Sequence, residues 1–332
     1  MNDIKHLLPP KLFEQIERGS ICTSKQILIL SCWDIKKVTN LSIEDILLIK
    51  NLVSEHIRPK NMTCFELSQQ SSDLKISSGC NVIDKILNGG FHRGSITEIY
   101  GESGSGKTQI SLQAAAHNWP NCSVYICTED LFPIKRFHEI EKSVQEYNPH
   151  IDYGSAIFIE HITESNDLLS CVRVRLPKLL TQNKFTFIVI DSIAAPFRVE
   201  SPNYVQRAEE MRELAICLLN MAQEFNLAVL CINQVTGVFD NTIDILPSLG
   251  LAWSNMITTR LHLKKTSRAI NIGSKETDKK YSSCVRELSV VFASDLPNTS
   301  AEFIISTNGL QDISKVLLIG PSCPVKFGNR VL

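Results

Sequence analysis

The chain has 332 residues, 43% of them hydrophobic and 21% charged, which excludes disordered and collagen-like proteins and allows a sizeable buried core. Its 34 Lys and Arg nearly balance 35 Asp and Glu, for a formal net charge of −1, so no whole-molecule field draws it to polyanions and any nucleic-acid contact must be local. No run reaches the roughly 18–20 apolar residues of a membrane-spanning helix and the first residues lack a signal-peptide layout, so an intracellular protein is expected. Its 11 Cys form no CxxC pair, and Cys127, Cys217 and Cys231 lie in apolar runs, which predicts reduced core thiols.

Residues 1–60 carry Leu and Ile at helical spacing, notably Leu41, Ile43, Ile46, Leu47, Ile49, Leu52 and Val53, and predict a small helical domain. Ser42 before Glu44 and Asp45 is the expected N-cap of a helix running to about Ile57. Residues 61–75, with Ser68, Gln69, Gln70, Ser71 and Ser72, lack an apolar period and read as a linker. From residue 76 to 332 the pattern is that of an α/β domain. Strands are expected over 95–100, 123–127, 156–159, 185–190 and 228–232, with helices over 108–117, 167–180 and 205–225. That alternation predicts βαβ units and a buried, mostly parallel sheet. Towards the C-terminus the helices give way to strands over 257–263, 286–293 and 301–306, an antiparallel edge.

Gly101, Glu102, Ser103, Gly104, Ser105, Gly106, Lys107 and Thr108 match GxxxxGK[ST], between an apolar strand ending at Tyr100 and a helix carrying Ile110, Leu112 and Ala114. The glycines let backbone N–H groups converge on phosphate oxygens, Lys107 would reach the β/γ-phosphates, and Thr108 would hold Mg²⁺. Lys107, on a loop, is expected to be exposed and dispensable for stability. ATP is favoured over GTP because no NKxD-type element follows. The run Phe187-Ile188-Val189-Ile190 ends in Asp191, the second acidic Mg²⁺ partner such a site needs. Glu129 follows the strand Val124-Tyr125-Ile126-Cys127, where it reads equally as a carboxylate orienting the attacking water or as a surface residue before the next helix.

These residues together resemble the RecA-type recombinases and specifically their eukaryotic paralogues, over essentially the whole chain. The resemblance is carried by Ser77-Ser78-Gly79-Cys80 with Asp84 to Gly90, by Gly94 to Glu98 leading into the P-loop and Gln109, and by Tyr125 to Asp130 with Phe132-Pro133 and Lys135-Arg136. Asp191 to Arg198, Cys231 to Thr236 and Leu249-Gly250-Leu251-Ala252-Trp253 complete it. It implies a RecA-like ATPase core and a nuclear DNA-repair factor of homologous recombination that works in a heteromer with another paralogue. By motif position, Glu129 matches the family's water-polarising glutamate, Arg136 the arginine packed on adenine, and Gln234 the glutamine that senses the γ-phosphate and opens the second DNA loop. Asp295-Leu296-Pro297 matches the cap laid over a neighbour's nucleotide, so part of a working site is expected from a partner.

The chain also departs from the family pattern. The linker's Phe-x-x-Ala polymerisation motif has no counterpart, because Phe65 is followed by Ser68, and long self-filaments are not expected. Residues 36–57 resemble a helix-hairpin-helix, yet Val38-Thr39-Asn40-Leu41 lacks the hairpin glycine, which favours packing or protein contact over a phosphate contact. The first DNA loop offers Arg198, Arg207 and Arg212, a kind of run that is more often a solvated helix face than a phosphate grip. The second, residues 236–254, has no Lys or Arg and only Phe239 and Trp253 as rings, Trp253 being either a stacking platform or packed. Weak binding of single-stranded or branched DNA by the isolated chain follows. Lys264, Lys265, Arg268, Lys275, Lys279 and Lys280 are expected to form a basic hairpin tip. Two alternatives stay open: a free-standing P-loop enzyme such as a small-molecule kinase, disfavoured because Arg173 and Arg175 share no helix face, and a scaffold that binds ATP without turnover.

Overall fold

The computed structural model describes residues 2–21, 23–59, 61–69, 75–145, 150–198, 204–236, 246–273 and 280–314. The chain divides into two compact units, Met1–Ser71 and Ser72–Leu332. The first is all-helical: α1 (Asn2–Lys5), α2 (Pro10–Arg18), α3 (Ser24–Ile29), α4 (Cys32–Val38), α5 (Ile43–Ile57) and α6 (Cys64–Gln69). Its helix starts are written in the sequence. Thr23 and Gln26 form a reciprocal capping box, and the Ser31 and Ser42 hydroxyls accept from the Asp34 and Asp45 backbone N–H groups. Ile46, Ile49 and Val53 of α5 share one face and are buried with Ile16, Ile27 and Ile35.

The segment expected to be linker carries α6. Glu66 accepts from the Thr63 N–H at 2.6 Å while its own N–H donates to Thr63 Oγ1 at 3.2 Å, a local cap that hydrophobic periodicity does not register. The α4–α5 connection is occupied in packing: a Cβ on Gly19 would come within 2.8 Å of Thr39 Cγ2 and 3.0 Å of the Val38 carbonyl oxygen. Thr39 is buried and its hydroxyl donates to the Ile35 carbonyl at 2.7 Å.

The second unit contains β1 (Lys75–Ile76), α7 (Asn81–Ile86), β2 (Phe91–His92), β3 (Ile96–Tyr100), α8 (Lys107–His117), β4 (Cys122–Cys127), α9 (Ile134–Gln145), β5 (Ile157–His161), α10 (Ser165–Ser170), α11 (Leu176–Leu180) and β6 (Phe185–Asp191). After it come α12 (Tyr204–Glu224), β7 (Ala228–Asn233), β8 (Val235–Thr236), β9 (Leu246–Pro247), α13 (Gly250–Ser254), β10 (Thr259–Gly273), β11 (Lys280–Ala293), β12 (Ser300–Ser306) and β13 (Gly309–Asp312). Nine strands form one sheet in the order β13-β12-β11-β10-β3-β7-β6-β4-β5. Pairing is parallel from β10 to β5 and antiparallel from β10 to β13.

Strand alternation splits the core between the two sheet faces. On β6, Ile188 and Ile190 face a cluster with Leu214, Leu218 and Trp253, while Phe187 and Val189 face one with Ile110, Leu112 and Phe137. Because parallel strands bring their C-terminal ends together, the residues following β3, β4, β6 and β7 meet at one sheet edge. The helix expected over 167–180 is α10 and α11 joined by a π-helical turn, Cys171–Arg175, just before Pro177. Proline cannot continue the i→i−4 ladder, and the wider turn accommodates it.

The antiparallel edge differs from expectation. β10 and β11 pair from Thr259↔Ala293 to Gly273↔Lys280, so Lys264 and Lys265 belong to the body of a ladder and Arg268 to the irregularity inside it, and none of the three to a hairpin tip. Lys264 pairs with Glu287 on the neighbouring strand at 3.0 Å, and Arg268 reaches past β11 to Glu302 of β12 at 2.7 Å, opposite charges that a scan for basic clusters overlooks. Lys275 and Lys279 lie outside the described residues. All nine described half-cystines that the structure records are free thiols, with Cys127 and Cys231 buried. Burial pushes the Cys127 thiol up to about 12, which leaves it a protonated core residue.

Candidate nucleotide-binding site

The loop between β3 and α8 carries the GxxxxGKT motif. Gly104 and Gly106 take φ of +69° and +110°, left-handed values that L side chains rarely adopt. A Cβ on Gly106 would lie 2.5 Å from Ile305 Cδ1, and one on Gly101 would lie 2.1 Å from the Leu263 carbonyl oxygen. The loop is therefore clamped against β10 and β12 with its backbone bare. Lys107 opens α8 and is 9% exposed, which corrects the expectation of an exposed lysine. Its Nζ donates to the carbonyl oxygens of Gly101 at 2.7 Å and Glu102 at 2.9 Å. Burial pulls its ammonium below the ordinary lysine value, against the opposing charges of Asp191, Glu129 and Glu102.

Asp191 ends β6 beneath this loop. Its Oδ2 accepts from Thr108 Oγ1 at 2.7 Å and from Tyr125 OH at 3.0 Å, and Tyr125 OH contacts Ser111 Oγ at 2.8 Å. Burial pushes the Asp191 carboxyl up, while the bonds from Thr108 and Tyr125 and the Lys107 charge pull it down. Tyr125 was missed as a site residue. A phenol inside a buried strand needs a polar partner, which was the signal available.

A cavity of about 650 Å³ opens over these groups, lined among others by Lys107, Thr108, Gln109, Glu129, Asp191 and Gln234. Glu129 and Gln234 stand together on its wall: Gln234 Nε2 donates to Glu129 Oε2 at 2.7 Å, and Arg198 NH1 donates to Oε1 at 3.0 Å. Glu129 thus faces the cavity and not bulk solvent alone. Arg198, a DNA-loop candidate from sequence, touches this carboxylate, and the pair is close to half-exposed.

Arg136 is brought to Gln109, donating to its Oε1 at 2.6 Å, and also to Glu139 and to the Ser306 and Thr307 carbonyls. The cavity wall on this side is formed by Leu131, Pro133 and Ile305. Arg286 of β11 also lines the cavity and donates to the Ser105 carbonyl at 2.8 Å. It was missed because a single arginine inside a strand pattern carries no motif. Arg207 and Arg212 lie on α12, half-buried and exposed respectively. Phe239 lies outside the described residues. Trp253 is fully buried, so it packs and offers no stacking face.

Asp295-Leu296-Pro297 follows β11, whose last residue Ala293 pairs with Thr259, itself opposite Thr97 on β3. The P-loop leaves the other end of β3. Asp295 and Pro297 are exposed at the opposite sheet edge from the chain's own cavity.

The residues present fit a nucleoside phosphate with a divalent cation. Ser105 Oγ is buried in the loop with no hydrogen-bond partner among the described residues, and Lys107 has only loop carbonyls as direct bonding partners, as in a cradle built for an anion. The hard oxygen donors Thr108 and Asp191, already in contact, suit Mg²⁺. No helix among the described residues is long and apolar enough to cross a membrane. Arg173 and Arg175, the candidates for a kinase lid, pair instead with Glu213 and Glu160.

The Rad51 family profile matches residues 69–313. The chain is 32% identical to the Mus musculus DNA repair protein XRCC3 over 92% of its own length and 96% of that protein. It is 30% identical to the Arabidopsis thaliana DNA repair protein XRCC3 homolog over 76% and 97% of the two chains. To the Schizosaccharomyces pombe DNA repair protein rhp57 it is 25% identical, over 79% and 87%. With its nine-stranded sheet, its P-loop and these matches, the chain belongs to the Rad51 family.

Proposed function

We propose that this chain is an ATP-binding recombinase paralogue whose nucleotide is bound at the P-loop and covered by a neighbouring paralogue. Its role is DNA repair by homologous recombination; DNA repair is what these relatives' names carry. The observation that carries the proposal is the convergence of Lys107, Thr108, Asp191, Glu129 and Gln234 on one cavity. Lys107 and the bare loop amides hold the phosphates, and Gln109, held by Arg136 from behind, stands on the base side. Thr108 and Asp191 would hold a Mg²⁺ ion, which would neutralise phosphate charge. Glu129 orients and receives a proton from the attacking water, and Gln234 stands where a γ-phosphate is distinguished from its absence.

Both Glu129 oxygens are already engaged, by Arg198 and Gln234, so one must be released before it can hold the attacking water, which favours slow turnover in the isolated chain. The exposed Asp295-Leu296-Pro297 turn, at the far sheet edge from the P-loop, supports a head-to-tail heteromer in which each cap serves a neighbour's nucleotide. Arg207 and Arg212, with Arg198, are the proposed contacts to single-stranded or branched DNA, weak alone, and the site of action is the nucleus. The paired Arg173 and Arg175 leave a kinase reading without an arginine lid.

The test is ATP turnover and ATP binding by the full chain alone, with single-stranded DNA, and with a second paralogue. Asp295→Ala in this chain should leave its own ATP affinity unchanged while weakening nucleotide retention by the heteromer. Failure of the wild-type chain to bind ATP in any of the three conditions would refute the proposal.

A further inference from the structure

Glu98 lies in the middle of β3 and does not line the nucleotide cavity, yet it is the one charged side chain among the described residues that is fully buried, at 0% exposure. Three donors from three other elements converge on it. Arg260 Nε of β10 donates to Oε2 at 2.6 Å, while Asn233 Nδ2 of β7 and Trp253 Nε1 of α13 donate to Oε1 at 2.7 and 2.8 Å. Burying a carboxylate costs several kcal/mol before its partners repay it, so a fold seeking stability alone would do as well with an apolar residue here.

The network continues to the cavity wall. Asn233 Oδ1 accepts from the Gln234 N–H at 2.7 Å and from Ser248 Oγ, and Asn233 Nδ2 also donates to the Ser248 carbonyl at 2.9 Å. Ser248 in turn donates to the Gln234 carbonyl from its N–H at 2.9 Å, and its one hydroxyl proton is shared between Asn233 Oδ1 and that carbonyl, whose oxygen lies 3.1 Å from Oγ. Both backbone polar groups of Gln234 are therefore gripped by bonds rooted on Glu98, and its side chain reaches Glu129. The same residues adjoin the short β8–β9 ladder, where Val235 pairs with Pro247 and Thr236 with Leu246.

We infer that Glu98 is a positioning residue: through Asn233 and Ser248 it fixes Gln234 against Glu129 at the nucleotide cavity. A buried, fully satisfied polar network specifies one arrangement more sharply than apolar packing does. The inference deepens the ATP reading above and rests on it. Glutamine at position 98 cannot replace the carboxylate, because whichever way the amide turns, its NH₂ meets one of the three donors.

The experiment titrates the full chain with Mg²⁺–ATP and Mg²⁺–ADP by calorimetry, for wild type, Glu98→Gln, Ser248→Ala and Gln234→Ala. Ser248→Ala deletes only half-exposed hydroxyl bonds and keeps the core, so it remains informative where Glu98→Gln fails to fold. ADP affinity should stay within about twofold in all, since the phosphate cradle is untouched, while ATP affinity falls about 3- to 10-fold in Ser248→Ala and towards the Gln234→Ala value in Glu98→Gln. A merely structural role would weaken both nucleotides alike, and that result overturns the inference. So does an ATP-to-ADP preference in Ser248→Ala equal to wild type, with the ATP reading left standing. Wild type binding neither nucleotide would remove the ATP reading and this inference with it.

Discussion

Replacing Lys107 with Ala separates what this side chain does for the fold from what it does for phosphate. The ammonium is 9% exposed and bonds two loop carbonyls at 2.7 and 2.9 Å. Two charge-assisted hydrogen bonds are worth about 1.5–3 kcal/mol each, against an effective desolvation cost of several kcal/mol for the ion. The terms nearly cancel, so Lys107→Ala should change stability by no more than about 2 kcal/mol, or roughly 4–8 °C in Tm for a domain of this size. Nucleotide binding should fall far more, since removing one partner of a desolvated charge pair costs about 2–5 kcal/mol, some 30- to 5,000-fold. The pH dependence has a definite sign. Burial lowers the folded-state value below 10.5, so in the window beneath 10.5 the unfolded chain binds more protons and stability rises with pH. Phosphate restores the charge, so wild-type binding takes up a proton in that window. Calorimetry in buffers of different ionisation enthalpy reads the uptake, and differential scanning calorimetry reads Tm. A variant that fails to fold, or proton release by wild type on binding, would refute this account.

Asp191→Asn should raise Tm of the nucleotide-free chain by about 2 °C, the shift for ~0.5–1 kcal/mol, while abolishing Mg²⁺-dependent binding. Burial raises this carboxyl, so the folded state holds its proton to higher pH and the group's contribution to stability falls as pH rises above 3.8; the amide removes that loss and can still accept from Thr108 and Tyr125 at one oxygen. Thermal melts at several pH values check it, and an unchanged pH slope would contradict it. Lys264→Gln and Arg268→Gln should leave the salt dependence of DNA binding unaltered, because Glu287 and Glu302 already neutralise them. Anisotropy titrations across salt would show the error as a slope reduced by about one per residue.

The parts of this molecule that were legible in the sequence are those whose physics is local. The P-loop announces itself because close approach of backbone to phosphate demands glycine at fixed spacing, and the apolar runs ending at Tyr100, Cys127 and Asp191 mark strands buried on both faces. The Ser42 cap is a contact between residues three apart. What was not legible depends on partners far along the chain. Lys264 looks like part of a basic tip until Glu287, on the next strand, is seen beside it. Arg286 reaches the Ser105 carbonyl across 181 positions, and Glu98 reads as one polar residue in a strand until Arg260, 162 positions later, joins it. The two-residue strands β1, β2, β8 and β9 are too short to show any period.

The register of the sheet carries the argument about assembly one step further. β10 runs parallel to β3 and β11 returns antiparallel, so the turn after β11 must emerge at the end of the sheet where β3 begins, while the P-loop emerges where β3 ends. No rearrangement short of breaking that ladder lets Asp295 reach the chain's own phosphates. A chain with its cavity at one edge and, as proposed, its cap at the other would contact neighbours through two different surfaces, the heterologous arrangement that grows until something stops it. In a two-membered complex of such chains only one cavity is covered, and the other stays open to solvent. The proposed heteromer is thereby asymmetric in its nucleotide sites, with one retained and one exchangeable. The order of subunits, and not merely their identity, then decides which chain's Lys107 and Glu129 work on a covered nucleotide.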